Sequence, residues 1–141
     1  MTTELAFVGA KLALIKEGQV LTYLRDAREG LAFPAHWDFP GGGREGDESA
    51  EDCVLRELHE EFGLILPPDR LIWRRDYLSD HLGGQRVAFF GGRITDAEIA
   101  AIVFGDEGQF WEMMAIDAFL AHDRAITHLQ NRLRDFLGTA P

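Results

Sequence analysis

Residues 42–64 read GGREGDESAEDCVLRELHEEFGL, and this stretch decides how the rest of the chain is read. Its second half, Glu48 to Phe62, predicts one helix. Ser49 stands as N-cap with Asp52 three residues on, acidic residues fill the first turn, and Gly63 sits where a helix stops with positive φ. Ala50, Cys53, Val54, Leu58 and Phe62 recur at three- and four-residue spacing, which makes an apolar stripe for a core. At roughly 100° per residue, Glu57, Glu60 and Glu61 share an arc of about 100° on a different face. Like charges that close repel by about a few tenths of a kcal/mol per pair. Either water solvates them as an ordinary acidic face, or they collect a hard divalent cation, which prefers carboxylate oxygens and removes the repulsion.

The spacing around the helix separates these readings. Gly42, Glu48, Arg56, Glu57, Leu58, Glu60, Glu61, Gly63 and Leu64 stand in the order G-x5-E-x7-R-E-U-x-E-E-x-G-U, where U is a large aliphatic residue. With seven fixed residues at roughly 6 to 7% usage each, a chance match is on the order of one in a hundred million per starting point. The pattern resembles the signature box of the Nudix hydrolases, complete at every position, and the likeness extends over nearly the whole chain.

The other residues set bounds on what such a box could serve. A chain of 141 residues, 46% of them hydrophobic, suits one domain over 1–141 with a sizeable core. Its net charge of −10 would repel a bare phosphate backbone, and no basic run offsets it, so long nucleic acid and anionic membrane are not expected partners. A small polyphosphate that brings its own cations remains acceptable. Cys53 is the single cysteine, which excludes an internal disulfide, and its place on the apolar stripe marks it as a space-filler. The start MTTELAFVGAKLALI is acidic and carries Lys11, unlike a signal peptide, and no apolar run reaches the roughly 20 residues of a membrane span, so a cytoplasmic location is expected. Whether the chain forms a homodimer is left open.

Turn and period signals give the remaining elements. Leu5 to Ile15 and Gln19 to Leu24 predict a hairpin about Glu17-Gly18. Ala27 to His36 reads as a loop, Trp37-Asp38-Phe39 as a short strand, and Pro40-Gly41-Gly42-Gly43 as a tight turn or a close backbone approach to a ligand. Leu71 to Leu78 and Arg86 to Ile94 predict strands joined by Ser79 to Gly84, with a bulge at Gly91-Gly92. Thr95 caps a helix to Val103 with Glu98 three on, and Gln109 to Met114 forms a strand. Asp117 caps a short helical turn, and a last helix runs from Arg124 to Leu137, stopped by Gly138, with Ile126, Leu129, Leu133 and Phe136 inward. These make a mixed β-sheet layered between helices. The resemblance implies the same α/β fold, the Nudix α/β/α sandwich.

The resemblance also implies roles. Similar proteins bind Mg²⁺ or Mn²⁺ through glutamates matching Glu57, Glu60 and Glu61, and hydrolyse a diphosphate linkage in a nucleoside diphosphate joined to another group. A carboxylate-held cation neutralises phosphate oxygens and acidifies a water. Glu57 and Glu61 both stand as candidates to take that proton. Arg56, four residues before Glu60, can orient a carboxylate. Glu48 is about 13 Å from Glu57 along an ideal helix and joins the cluster only if the preceding loop folds back. Asp106-Glu107-Gly108-Gln109 resembles the loop that supplies one more acid in the branch cleansing oxidised guanine nucleotides, with Glu107 in that role and Glu112 as its competitor. Arg25 aligns with a phosphate-contacting arginine of that branch; Arg28 or Arg44 could serve instead, with Gly42 and Gly43 close to the substrate. Phe33, Trp37, Phe39, Phe110 and Trp111 could stack on a base, although aromatics at strand spacing also build cores. His59 and His128 lack metal-ligand spacing and receive no role.

Three functions are compatible with these residues. A small nucleotide substrate, a normal or oxidised (d)NTP such as 8-oxo-dGTP, suits a pyrophosphatase of this size. An ADP-sugar or diadenosine polyphosphate would use the same metal site. A non-catalytic nucleotide-sensing module is the third, and the intact acids argue against it.

Overall fold

The Glu17-Gly18 turn closes the first hairpin in the way its residues favour. Both take positive φ, 47° and 79°, between β1 (Gly9–Lys16) and β2 (Gln19–Leu24). The structure is a computed structural model that describes residues 6–139. Leu5, the expected start of the first strand, lies outside the described residues, and the strand begins at Gly9.

β1 and β2 pair directly only at Ile15↔Val20 and Lys16↔Gln19. Beyond that they diverge, and the segment that follows the first long loop fills the opening. β3 (Trp37–Asp38) pairs with the far end of β2, and β4 (Gly41–Gly43) pairs antiparallel with the start of β1. The glycine run is therefore a strand rather than a tight turn. An added Cβ at Gly41 would lie 2.1 Å from the Ala10 carbonyl oxygen, so only glycine lets this strand approach β1 so closely.

β5 (Trp73–Ser79) and β6 (Gln85–Arg93) form the second hairpin, and β6 runs parallel to β1 from Gly9↔Val87 to Ile15↔Arg93. The ladder with β1 runs unbroken through Gly91 and Gly92, and the ladder with β5 reaches Gly91, without the expected bulge. Close packing explains these glycines instead: a Cβ on Gly91 would meet the Phe136 ring at 2.5 Å, and one on Gly92 the Arg70 carbonyl oxygen at 2.6 Å. β7 (Phe110–Ala115) completes a seven-stranded mixed sheet along β2.

The helices start and stop on local chemistry, with two departures. α1 (Ala50–Phe62) carries the Ser49 cap, whose hydroxyl accepts from Asp52 N–H at 3.1 Å, and ends at Gly63 with φ 69°. α2 (Asp96–Ala100) has the Thr95/Glu98 capping box but is shorter than expected. α3 (Ile116–Ala121) follows β7 without a break, because Ala115 still pairs with Gln19 and Ile116 N–H donates to the Gly18 carbonyl. Asp117 thus falls in its first turn and is not its cap. α4 (Thr127–Gly138) begins later than Arg124, since Trp37 N–H holds the Arg124 carbonyl at 2.7 Å and Trp37 bridges Ala125. Gly138 is its last residue, not its stop, and Thr139 takes the cap.

Both sheet faces are covered. Val54, Leu58 and Phe62 of α1 pack on Leu12, Leu14, Leu21 and Phe90, while Phe119, Leu129, Leu133 and Phe136 of α3 and α4 pack on Ala13, Val20, Phe39 and Phe89. Full burial of each such leucine or phenylalanine stabilises the fold by about 1.5–3 kcal/mol. The result is an α/β/α sandwich with a mixed sheet. Among the described residues no helix is long and apolar enough to cross a membrane.

Candidate functional site

Arg56 ties together the polar side of α1. Its Nη1 lies 2.9 Å from Glu57 Oε1, 2.9 Å from Glu45 Oε2 and 3.1 Å from Glu60 Oε2. Nη2 donates to Glu48 Oε1 at 2.8 Å and to the Gly43 carbonyl at 3.0 Å, and Nε donates to Glu48 Oε2 at 3.1 Å. The chain before α1 does fold back, as Glu48 required, but it delivers Glu48 to Arg56 as a partner, not to the acidic cleft itself. The Arg56 hydrogen bonds hold Glu48 down at about 2.

A cleft of about 300 Å³ is lined by Glu45, Glu57, Glu60, Glu61, Asp106 and Glu107. Glu107 thus reaches the box helix from its loop, whereas Glu112 sits on β7 opposite Thr22. Glu45 and Asp106 were not singled out by the sequence, because free positions in a box and a loop carry no periodic signal. Glu61 is 6% exposed, and its Oε1 accepts the Gly41 N–H at 2.9 Å. Burial pushes Glu61 up to about 8 against the pull of Lys11 and that N–H. Glu57 is also raised by burial, opposed by Arg56. In both, loss of hydration disfavours the charged form, and neighbouring carboxylates add to it.

Gly42 gives Glu57 its place. A Cβ there would lie 2.7 Å from the Glu57 carboxylate. Gly42→Ala is expected to displace that carboxylate and lower turnover by about 10- to 100-fold, the scale of an ångström's misplacement, with the melting temperature nearly unchanged because a flexible side-chain end can yield. Rate and melting measurements on the purified variant check this; a folded variant with the wild-type rate contradicts it.

Of two further cavities, the first shares Asp106 and Glu107 with the acidic cleft and the second shares Arg25 with the first. Tyr23, Arg25, Asp26, Arg28, Leu31, Asp106, Glu107 and Gly108 line one of about 390 Å³. Arg25 is also spoken for: Nη1 donates to Asp38 Oδ2 at 3.0 Å and Nε to the Ala32 carbonyl at 2.9 Å. Lys11 Nζ donates to the same Asp38 oxygen at 3.0 Å, so Asp38 stays ionised, Lys11 and Arg25 holding it below its usual range although burial pushes it up. Arg44 turns elsewhere, its Nε donating to the Glu48 carbonyl and its guanidinium 4.5 Å from the Phe7 ring centre. The third cavity, about 290 Å³, lies across β4 and is walled by Gly42, Gly43, Lys11, Phe33, His81 and His128 among others. Trp37 and Phe39 are core residues, while Phe33 borders this cavity. Cys53 is buried with its thiol pushed up to about 12, which suits a filler and not a nucleophile.

Residues 8–134 match the NUDIX domain family. The chain belongs to the Nudix family. It is 30% identical to the 8-oxo-dGTP diphosphatase of Haemophilus influenzae over 143 residues, which cover 97% of this chain and 100% of that protein. It is 43% identical to the m7GpppN-mRNA hydrolase NUDT17 of Danio rerio over 67 residues, 48% of this chain and 22% of that longer protein. In fold it is similar to the MutT protein of Methanosarcina mazei, with TM-score 0.68 at 17% identity over 99% of this chain and 100% of the other. The bifunctional NMN adenylyltransferase/ADP ribose pyrophosphatase of Francisella tularensis, solved with AMP and a manganese ion, shares the fold with TM-score 0.67 at 21% identity over 95% of this chain and 42% of its own. As an enzyme the chain is a Nudix pyrophosphohydrolase, and enzymes of this family use divalent metals.

The residues present fit such an ion. Carboxylate oxygens of Glu45, Glu57 and Glu60 lie within 4.8 Å of one another, and an oxygen-only donor set suits hard Mg²⁺ or Mn²⁺. Arg56 neutralises only part of this charge, as four glutamates share one guanidinium.

Proposed function

We propose that this Nudix protein hydrolyses a nucleoside triphosphate, normal or oxidised, to a monophosphate and pyrophosphate. The observation that carries the reading is the placement of β4: Glu61 accepts the Gly41 N–H and the Glu57 carboxylate lies against Gly42, while Gly42 and Gly43 also line the cavity that holds Phe33, His81 and His128, so acids for the phosphates and rings for a base meet at one strand. The full-length likeness to an 8-oxo-dGTP diphosphatase supports it.

In this reading Glu57, Glu60 and Glu61, with Glu45 and Glu107 facing them, hold Mg²⁺ or Mn²⁺, and Glu48 acts through Arg56. When bound, the ion supplies positive charge to the phosphate oxygens and an acidified water. Arg56 keeps Glu57 and Glu60 in one geometry, so that little rearrangement is needed during reaction. Glu61, closed off from solvent and anchored by the Gly41 N–H, accepts the proton of the attacking water. Gly42 and Gly43 let the phosphates approach β4, and Arg25 and Arg28 face them beside Asp106 and Glu107.

A screen of the full chain with Mg²⁺ against nucleoside triphosphates, 8-oxo-dGTP, ADP-ribose and diadenosine polyphosphates tests this. Pyrophosphate and a monophosphate are expected from a triphosphate. Two monophosphates from ADP-ribose, with triphosphates untouched, would replace the reading with the ADP-sugar one.

A further inference from the structure

Arg132 is 7% exposed on α4, yet no carboxylate, carbonyl or hydroxyl among the described residues pairs with it. Its guanidinium lies 4.7 Å from the centre of the Tyr77 ring, whose own hydroxyl is spent on Asp135. Among the described residues no fully buried side-chain nitrogen or oxygen lacks a hydrogen-bond partner, so the Arg132 guanidinium nitrogens open onto solvent, and donors with no protein acceptor are free for a ligand. Arg132 borders the 290 Å³ cavity together with Phe33, His81 and His128.

Those three rings form one aromatic cluster beside the cavity. The imidazoles of His81 and His128 stack with centres 5.0 Å apart and 13° between planes, and Phe33 meets them edge-on at 5.2 and 5.6 Å. Burial pushes His128 down to about 4, so it is uncharged at neutral pH, and burial lowers His81 as well. Phe33 and nearby Ala35 hold φ of 51° and 53°, a conformation costly for any residue but glycine, in the loop that brings the Phe33 ring to the cavity. Lys11, Gly42 and Gly43 form the opposite wall, towards the acids.

We propose that Arg132 reads the acceptor edge of a guanine base, donating two N–H groups to O6 and N7 while the base packs on Phe33 and the His81–His128 stack. This rests on the nucleoside polyphosphate reading above, since a base placed here leaves its phosphates directed to β4. A guanidinium only donates. Adenine sets an amino donor beside N7, thymine sets an N–H between its carbonyls, and cytosine has an acceptor pair in O2 and N3 but only a single ring to pack on the aromatic side chains. In 8-oxoguanine N7 carries a hydrogen, so one acceptor is replaced by a donor. The cavity therefore favours unoxidised guanine, unlike the substrate in the name of the Haemophilus influenzae relative.

Calorimetric titration of the full chain with dGMP, 8-oxo-dGMP, dAMP and dCMP tests this apart from turnover, because monophosphates have no anhydride to cleave. Wild type is expected to bind dGMP about 10- to 100-fold more tightly than the other three, the discrimination of one bidentate arginine–guanine pair. Arg132→Met should bring these ratios near one while melting close to the wild-type temperature, since it removes no hydrogen bond within the protein and keeps an apolar stem of similar length. Arg132→Lys, charged but without the planar fork, should retain a reduced preference. Equal affinities in wild type, no binding of any of the four, or a dGMP preference that survives in Arg132→Met overturns the proposal. A lowered melting temperature with unchanged ratios marks Arg132 as structural and also overturns it. Should Arg132→Met not fold, the wild-type ratios and Arg132→Lys decide. Hydrolysis of triphosphates without a dGMP preference refutes Arg132 alone; a dGMP preference without hydrolysis of any nucleotide refutes the proposed function alone.

Discussion

Glu61→Gln is expected to lower kcat by about 10³-fold or more, within the 10²–10⁴ range that a positioned base supplies together with loss of a cation ligand. The fold should survive. Glutamine keeps an oxygen for the Gly41 N–H, which Glu61 Oε1 accepts at 2.9 Å. The same variant has a stability signature. In the metal-free protein Glu61 titrates near 8, above its ordinary 4.5, so the folded state binds a proton that the unfolded chain releases. Stability from this group is fully present below about pH 4.5 and is lost as pH rises towards 8. Glu61→Gln removes that loss. Thermal melts in chelator from pH 5 to 8.5 should therefore show wild type falling more steeply than the variant. A variant with near-wild-type kcat, or parallel melting profiles, would contradict the role given to Glu61.

Arg56→Ala is expected to cost both stability and activity. Glu45, Glu48, Glu57 and Glu60 would lose their common partner. Removing one partner from a buried ion pair costs about 3–5 kcal/mol; Arg56 is 23% exposed, so about 2–3 kcal/mol is expected. For a chain of this size that lowers the melting temperature by roughly 6 to 12 °C. Turnover should fall by about 100-fold, because Glu57 and Glu60 lose their fixed geometry. Millimolar Mg²⁺ should restore part of the lost stability, since it relieves the same repulsion. A variant as stable as wild type without metal would show that Arg56 is not the hub its contacts describe.

What could be read from the sequence was local. The Ser49 cap, the Gly63 stop, the inward stripe of α1 and the Thr95 box each depend on residues within a few positions of one another, and each stands as expected. Helix ends set by distant partners could not be read that way. Trp37 delays α4, and the pairing of Ala115 with Gln19 leaves Asp117 no part in starting α3. Three glycines in a row suggested a turn because nothing in their own neighbourhood announced β1 as a pairing partner. The candidate site divides in the same way. Arg56, Glu57, Glu60 and Glu61 sit at fixed spacing on one helix and were visible, and the likeness to a known family brought in Glu48 and Glu107. Glu45, Asp106, His81 and Arg132 meet their neighbours only through tertiary folding, from loops and from the C-terminal helix. For Arg25, type and place suggest a phosphate contact but say nothing of Asp38, which reaches it only through the pairing of β2 with β3.

The central claim is that acids gathered on α1 and the facing loops hold the divalent cation on which hydrolysis depends. Its most direct test is a titration of the full chain with Mn²⁺, followed by electron paramagnetic resonance, in wild type and in Glu57→Gln/Glu60→Gln. Saturable Mn²⁺ binding to wild type is expected, weakened at least tenfold in the double variant, with the fold retained. Mn²⁺ binding that is absent from wild type, or unchanged in the double variant, would contradict the claim.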